Sequence, residues 1–376
     1  MKLQYFKFFL LNFYLIIIFS SAYTKYGFFN DNFLFFASIL TSSILLIFLE
    51  YKRFPVISRS ITVLIIVLYA SFFINSIAYN KFSTDIFFSI IMQMGLGLAL
   101  FSNKSRIIFI AFSSLLFYQT LSFFINSNDL IDLMVYSRNT ISVYAIASFS
   151  MLCIAHHNKS LKHSKNTRNE IILMAILTLV TCIFSVGRSG IVASFILLIF
   201  VFLEYVKVRK LVVIITSLIV VLAGISSDFL IDYFNQIFLY TKFGIEGIET
   251  ARYEMYQSYL DVLNFKSLIF GKSANDVQLI FIEEGYHNSY ILLHMYLGIG
   301  VFIIFHMIYF TARIFFKSNN LILLGCLLAI SIRAFTDEHL IRGNYLQFGI
   351  IISLYCIALS IKKQFLKNKK LIATKT

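Results

Sequence analysis

Apolar residues in this chain come in blocks of about 15 or more, and its charged residues are confined to the gaps between them. A helix needs about 20 such residues to cross the roughly 30 Å hydrocarbon layer of a bilayer. A soluble core would need no such segmentation. The chain is 59% hydrophobic and 13% charged, about half the charged share of a soluble domain. It therefore reads as a membrane protein. Lipid offers no partner to an unpaired backbone group, so each span is expected to be a helix. The expected fold class is all-α: a polytopic bundle of about twelve spans, residues 1–376 forming a single transmembrane domain. The spans run roughly 6–23, 32–50, 60–78, 84–101, 107–125, 140–156, 171–186, 190–206, 211–227, 288–312, 321–336 and 344–361.

Charge sets the expected orientation. The net charge is +14, yet the basic residues gather at the ends of apolar blocks and on no soluble module, which argues against nucleic acid as a partner. Twelve spans put both termini on one side. That side receives 22 of the 32 basic residues, among them Lys52, Arg53, Lys104, Arg106, Arg168, Arg209, Lys317 and six lysines after Ile361. By the positive-inside rule it is cytoplasmic. His156, His157 and His163 fall there among lysines and read as solvated loop. Cys153, Cys182, Cys326 and Cys356 show no ligand spacing and read as small buried hydrophobes. The basic, apolar start (Lys2 and Lys7, then an apolar run to Ala22) resembles a signal peptide but has no clear cleavage site, and is taken as the first helix.

One connection stands apart. About sixty residues, 228–287, form a large loop on the outer side, while most other connections are a handful long. Long loops in compact proteins tend to be functional or disordered. Phe229, Leu230, Tyr233, Phe234, Ile237 and Phe238 recur at helical spacing, as do Met255, Tyr259, Leu260 and Leu263. Two short amphipathic helices lying on the membrane surface are expected here, joined by Lys242–Thr250, with turns at Gly271 and Gly285.

Charges at the membrane edge are costly and mark candidate sites. Arg188 lies in Ser185-Val-Gly-Arg-Ser-Gly190, on a tight outer hairpin. Its guanidinium either snorkels to lipid headgroups or, with small neighbours that admit another group, meets the oxygens of a diphosphate. Arg252, in Ala251-Arg-Tyr-Glu-Met-Tyr256, has the plainer reading of an exposed partner for Glu249 or Glu254. His287 ends the loop, followed by Asn288 and, ten residues on, by Gly298. A histidine there caps a helix or takes a proton from an attacking hydroxyl. Gly298 and Gly300 are expected about three turns down the same helix, allowing close packing; His294 and His306 read as helix contacts. Arg333, Asp337, Glu338, His339 and Arg342 crowd the outer turn between the last two spans. Arg333 lies inside its helix and calls for Asp337, one turn on, or for an anionic ligand. The topology places Arg188, Arg252, His287 and Arg333, from four separate segments, on one face. Arginines with one base suit attack of a hydroxyl on an anomeric carbon with a diphosphate leaving. That scheme needs no metal and no other cofactor.

Three stretches then carry a likeness. Ser185–Gly190, Ala251–Tyr256 and His287-Asn288 with its following Gly298 are similar to the arginine hairpin, the loop arginine and the His-Asn-x9-Gly signature of the bacterial O-antigen polymerase and O-antigen ligase superfamily. The likeness covers roughly 171–345. It implies an inner-membrane glycosyltransferase of lipopolysaccharide biosynthesis that moves glycan from undecaprenyl diphosphate at the periplasmic face. It implies His287 as the base and Arg188 and Arg252 on the diphosphate. Arg333 is carried with them, and Asn288, Gly298, Asp337 and Arg342 as supporting residues. Implied partners are the undecaprenyl-diphosphate-linked oligosaccharide, membrane lipids and a chain-length regulator protein. A polymerase, passing the chain to a lipid-linked repeat, is favoured over a ligase, passing it to lipid A core. The rival from another class is a flippase of lipid-linked oligosaccharide. A flippase would line a central cavity with charge in both halves of the bundle, whereas the first six spans here carry almost none.

Overall fold

A computed structural model describes residues 5–6, 9–14, 16, 32–51, 55–80, 82–126, 138–158, 165–185, 188–205, 256–257, 259–272, 288–336, 340 and 346–373. Its helices are α1 (Asn32–Tyr51), α2 (Pro55–Ala78), α3 (Thr84–Ser102), α4 (Ile107–Asn126), α5 (Arg138–Asn158) and α6 (Lys165–Phe184). They continue with α7 (Arg188–Tyr205), α8 (Phe265–Phe270), α9 (Ser289–Leu297), α10 (Val301–Lys317), α11 (Leu321–Ala334) and α12 (Gln347–Ala373). A short 3-10 turn, Gly298–Gly300, joins α9 to α10. No strand occurs among the described residues. Polar punctuation ends the helices. Pro55, the one proline, opens α2 where a missing N–H costs nothing. The Asn158 amide donates to the carbonyls of Leu100 (3.0 Å) and Asn103 (2.8 Å), closing α3.

By length and hydropathy four described helices can cross a membrane: Arg59–Ala78, Asn166–Phe184, Ser289–Lys317 and Gln347–Asn368. A fifth is added if Ile86–Ser102 and Ile107–Leu121, bent by 116°, form one broken span. The described part is thus all-α and compatible with a multi-pass membrane protein, with four or five crossings instead of the twelve expected. The difference has physical causes. Expected span 211–227 and most of 6–23 lie outside the described residues. Helices α7 and α11 are shorter than the about 20 residues that cross the hydrocarbon layer. Helix α5 is a different case. Every position from 141 to 156 is buried, Ser142, Ser148 and Ser150 included. A helix enclosed by protein on all sides has no need of a lipid-facing surface and tolerates hydroxyls.

The third crossing does not run straight. The ring of Tyr290 in α9 stacks on that of Phe305 in α10 with centroids 5.0 Å apart. Fifteen residues of continuous helix would separate them by about 22 Å along the axis. The chain therefore folds back at Gly298–Gly300, and the expected single span 288–312 is corrected to a short helix doubling onto a longer one. After the turn, α10 with its 17 residues reaches about 26 Å.

Helices α7 and α11 lie antiparallel, pinned at both ends. At one end Arg333 donates to Ser189; at the other the Glu204 carboxylate accepts from the backbone N–H of Ile322 at 2.7 Å, capping the start of α11. Close crossings fix α3 between its neighbours. A Cβ on Gly95 would come within 2.6 Å of the Ser43 backbone in α1, and one on Gly97 within 2.7 Å of the Gly349 carbonyl in α12. Gln93 takes the Gly349 N–H at 2.8 Å. The buried Tyr14 hydroxyl donates to the Met92 carbonyl at 3.2 Å, so the first helical stretch also packs on α3. All four cysteines are buried and free, as expected.

The Glu204 end carries a network that the sequence reading assigned to solvated loop. His156 is only 4% exposed, and its Nε2 lies 3.1 Å from Glu170, whose second oxygen takes Arg106 at 2.6 Å. The three residues tie α4, α5 and α6 together. A cavity of about 20 Å³, room for one water, opens beside them between His156, Glu204, Tyr205 and Asn320. Glu170→Ala strips a carboxylate from a cation and a buried imidazole. It should destabilise the protein by about 2 kcal/mol, between the values for exposed and fully buried pairs. Thermal unfolding of the purified protein in detergent reads that loss as a lower Tm.

Candidate functional site

The Arg333 end gathers the neighbours of the candidate residues. Arg333 is the penultimate residue of α11 and wholly buried. Its Nη1 donates to the hydroxyls of Ser189 (2.5 Å) and Thr336 (2.9 Å). Arg188 is the first residue of α7, so the hairpin's next side chain is the one that Arg333 holds. Gly190 is tight for a related reason: a Cβ there would fall on Ser142 of α5. The small residues of the hairpin admit a neighbouring helix.

The start of α9 meets the same stretch of chain. Asn288 is its N-cap, the side-chain oxygen accepting from the N–H groups of Tyr290 (2.9 Å) and Ile291 (3.2 Å). The Ser289 hydroxyl accepts from the Leu340 N–H at 3.1 Å, and the Tyr290 hydroxyl donates to the Ser331 carbonyl at 3.1 Å. The Tyr290 ring packs on Phe335 at 4.5 Å. From the long loop, the Tyr256 hydroxyl donates to the Phe335 carbonyl at 3.2 Å. Ser189, Tyr256, Ser289 and Tyr290 thus all bond to residues 331–340. Each lies within four positions of Arg188, Arg252 or His287 along the chain.

The candidate residues themselves divide. Arg333, Asn288 and Gly298 are described, and Arg188 through its backbone alone. Arg252, His287, Asp337 and Arg342 lie outside the described residues, as does the first loop helix at 229–238. The second loop helix packs into the protein instead of lying free on a surface. Tyr259 is buried against Met295, and its hydroxyl lies 2.5 Å from Nδ1 of His294. His294 Nε2 is 3.0 Å from the Leu268 carbonyl, the helix contact expected of it. Gly298 sits at φ +51 with the Ile269 carbonyl oxygen and Phe270 carbonyl carbon where a Cβ would be. Only glycine takes this conformation without strain, and it does so where α9 ends, not down a continuous helix. Gly271, at φ +82, makes the expected turn after α8.

Thr336, Ser289, Tyr290 and Tyr256 are the residues of this region that sequence reasoning misses. Their signal was adjacency to the motifs, which hydropathy does not weigh. Among the described residues no three His, Cys, Asp or Glu side chains gather closely enough to share a metal ion. Chemically the region offers a buried guanidinium, several hydroxyls and the N-terminal ends of α7 and α9, the positive ends of their helix dipoles. Such a surrounding favours an anion. No protein-family model matches this chain, and no curated protein matches it either.

Proposed function

We propose that this chain is a glycosyltransferase of the bacterial inner membrane that polymerises lipid-linked surface polysaccharide. It crosses the membrane several times, with both termini cytoplasmic and the site on the periplasmic side. The donor glycan is carried on undecaprenyl diphosphate, and the acceptor is a lipid-linked repeat unit. An acceptor hydroxyl forms a bond to the anomeric carbon while the bond from that carbon to the diphosphate breaks. The bonding pair leaves with the diphosphate, and His287 takes the hydroxyl proton. Arg188 and Arg252 hold the departing diphosphate. Arg333, enclosed by protein, adds its charge at short range, where a low dielectric strengthens it, and keeps the hairpin in place through Ser189.

The observation that supports this reading is the convergence on residues 331–340 of bonds from Ser189, Tyr256, Ser289 and Tyr290. Three motifs far apart in sequence each send a near neighbour there. Deletion of the gene followed by gel analysis of surface polysaccharide tests it. Loss of a polymerase leaves lipid A core carrying a single repeat. Bare core with accumulating lipid-linked polymer would indicate a ligase, and repeats trapped inside the cell a flippase; either result overturns the polymerase reading.

A further inference from the structure

Asn75, in the last turn of α2, is 6% exposed. Its amide nitrogen donates to the Phe270 carbonyl, at the end of α8, and at 2.8 Å to the Met295 carbonyl, in the last turn of α9. Both helices stop here, and the final carbonyls of a helix have no partner within it. In an apolar bundle they must find donors elsewhere. A carboxamide has two N–H donors, one for each. The neighbours of Asn75 on α2 serve the same junction. The Tyr79 hydroxyl, four residues on, donates to the Gly271 carbonyl at 2.5 Å. Ser71, four residues back, packs so closely on Gly300 that a Cβ there would lie 2.6 Å from its hydroxyl. Positions 71, 75 and 79 share one face of a helix. That face holds the point where the chain doubles back.

Doubling back is what turns the start of α9 toward α11, and α9 is nine residues long, about 13 Å. A rotation of about 10° at one end of such a rod moves the other by about 2 Å, and misplacement by about 1 Å can cost 100-fold in rate. We infer that Asn75 is a positioning residue: by holding the C-terminal end of α9 it aims the other end, which begins at Asn288, at the Arg333 region. This rests on the functional reading above for its consequence, though not for its geometry.

The test uses full-length protein reconstituted with undecaprenyl-diphosphate-linked repeat units, with rates expressed per folded molecule from size-exclusion chromatography. Asn75→Asp keeps the size of the side chain and removes the donors. It should lower kcat about 10- to 100-fold with KM for the donor little changed. Asn75→Gln, which keeps the amide, should recover most of the rate. Tyr79→Phe, which removes one hydroxyl and leaves the ring, should lose about 3- to 10-fold on the same grounds and decides the matter if Asn75→Asp does not fold. In parallel, spin labels at Ile291 in α9, half-buried, and Phe316 in α10, exposed, lie on opposite sides of the bend and report it without reference to activity. Their distance distribution should be narrow in the parent and broad in Asn75→Asp, or in Tyr79→Phe if the former is not recovered. Parent protein that makes no polymer, with the distribution still broadened, sinks the functional reading and leaves the positioning role. An unchanged distribution, or a kcat per folded molecule equal to that of the parent, overturns the role of Asn75.

Discussion

Replacing His287 by alanine, or Arg188 by alanine, is expected to abolish glycan transfer while the protein still inserts and folds. A general base contributes about 100- to 10,000-fold, and one removed donor to a developing anion about 100- to 1,000-fold. Stability should change little by comparison. The bonds that fix this region come from Ser189, Asn288, Ser289 and Tyr290, which both substitutions leave intact. The check is polymer formation by purified variants beside their melting temperatures. Full activity in both would remove them from the chemistry and leave the helical framework standing.

The opposite pattern is expected of Gly298→Val. Valine at φ +51 adopts a conformation costing about 1–3 kcal/mol. Its Cβ must also displace backbone atoms of Ile269 and Phe270, which belong to another helix and cannot rotate away. Overpacking of this kind costs about 1–3 kcal/mol more. Together this is a large share of the about 5–15 kcal/mol that holds a protein folded. Folded protein recovered in detergent should therefore fall severalfold, with activity lost in proportion. Recovery at the parent level would mean that the chain does not double back at Gly298.

Most helix limits were readable in the sequence because each apolar block ends at polar residues. Block 107–125 became Ile107–Asn126, and 32–50 became Asn32–Tyr51. The fold-back was not readable. Residues 290–312 are apolar nearly throughout, and hydropathy is the same for a bent helix and a straight one. In sequence Gly298 and Gly300 read as packing surfaces; only the Ile269 and Phe270 backbone, contributed from the long loop, makes glycine obligatory at the turn. Among the candidate residues, Arg333 was legible from its place inside a helix, and it is indeed buried. The pairing of His156 with Glu170 was hidden because the intervening lysines look like open loop. Both side chains are instead turned inward against α4. The crossing number expected from hydropathy alone exceeds what the described helices supply. Segmentation counts apolar blocks and does not register an enclosed helix such as α5 or a short one such as α11.

Glycan transfer from a lipid carrier at the periplasmic face requires the site to open on the outer side of the membrane. Single cysteines introduced at positions 252 and 287, in a chain with its four buried native cysteines replaced, can be challenged in intact spheroplasts with a membrane-impermeant maleimide. Both should react without permeabilisation. Labelling of either position only after the membrane is opened would contradict a shared site at the outer face.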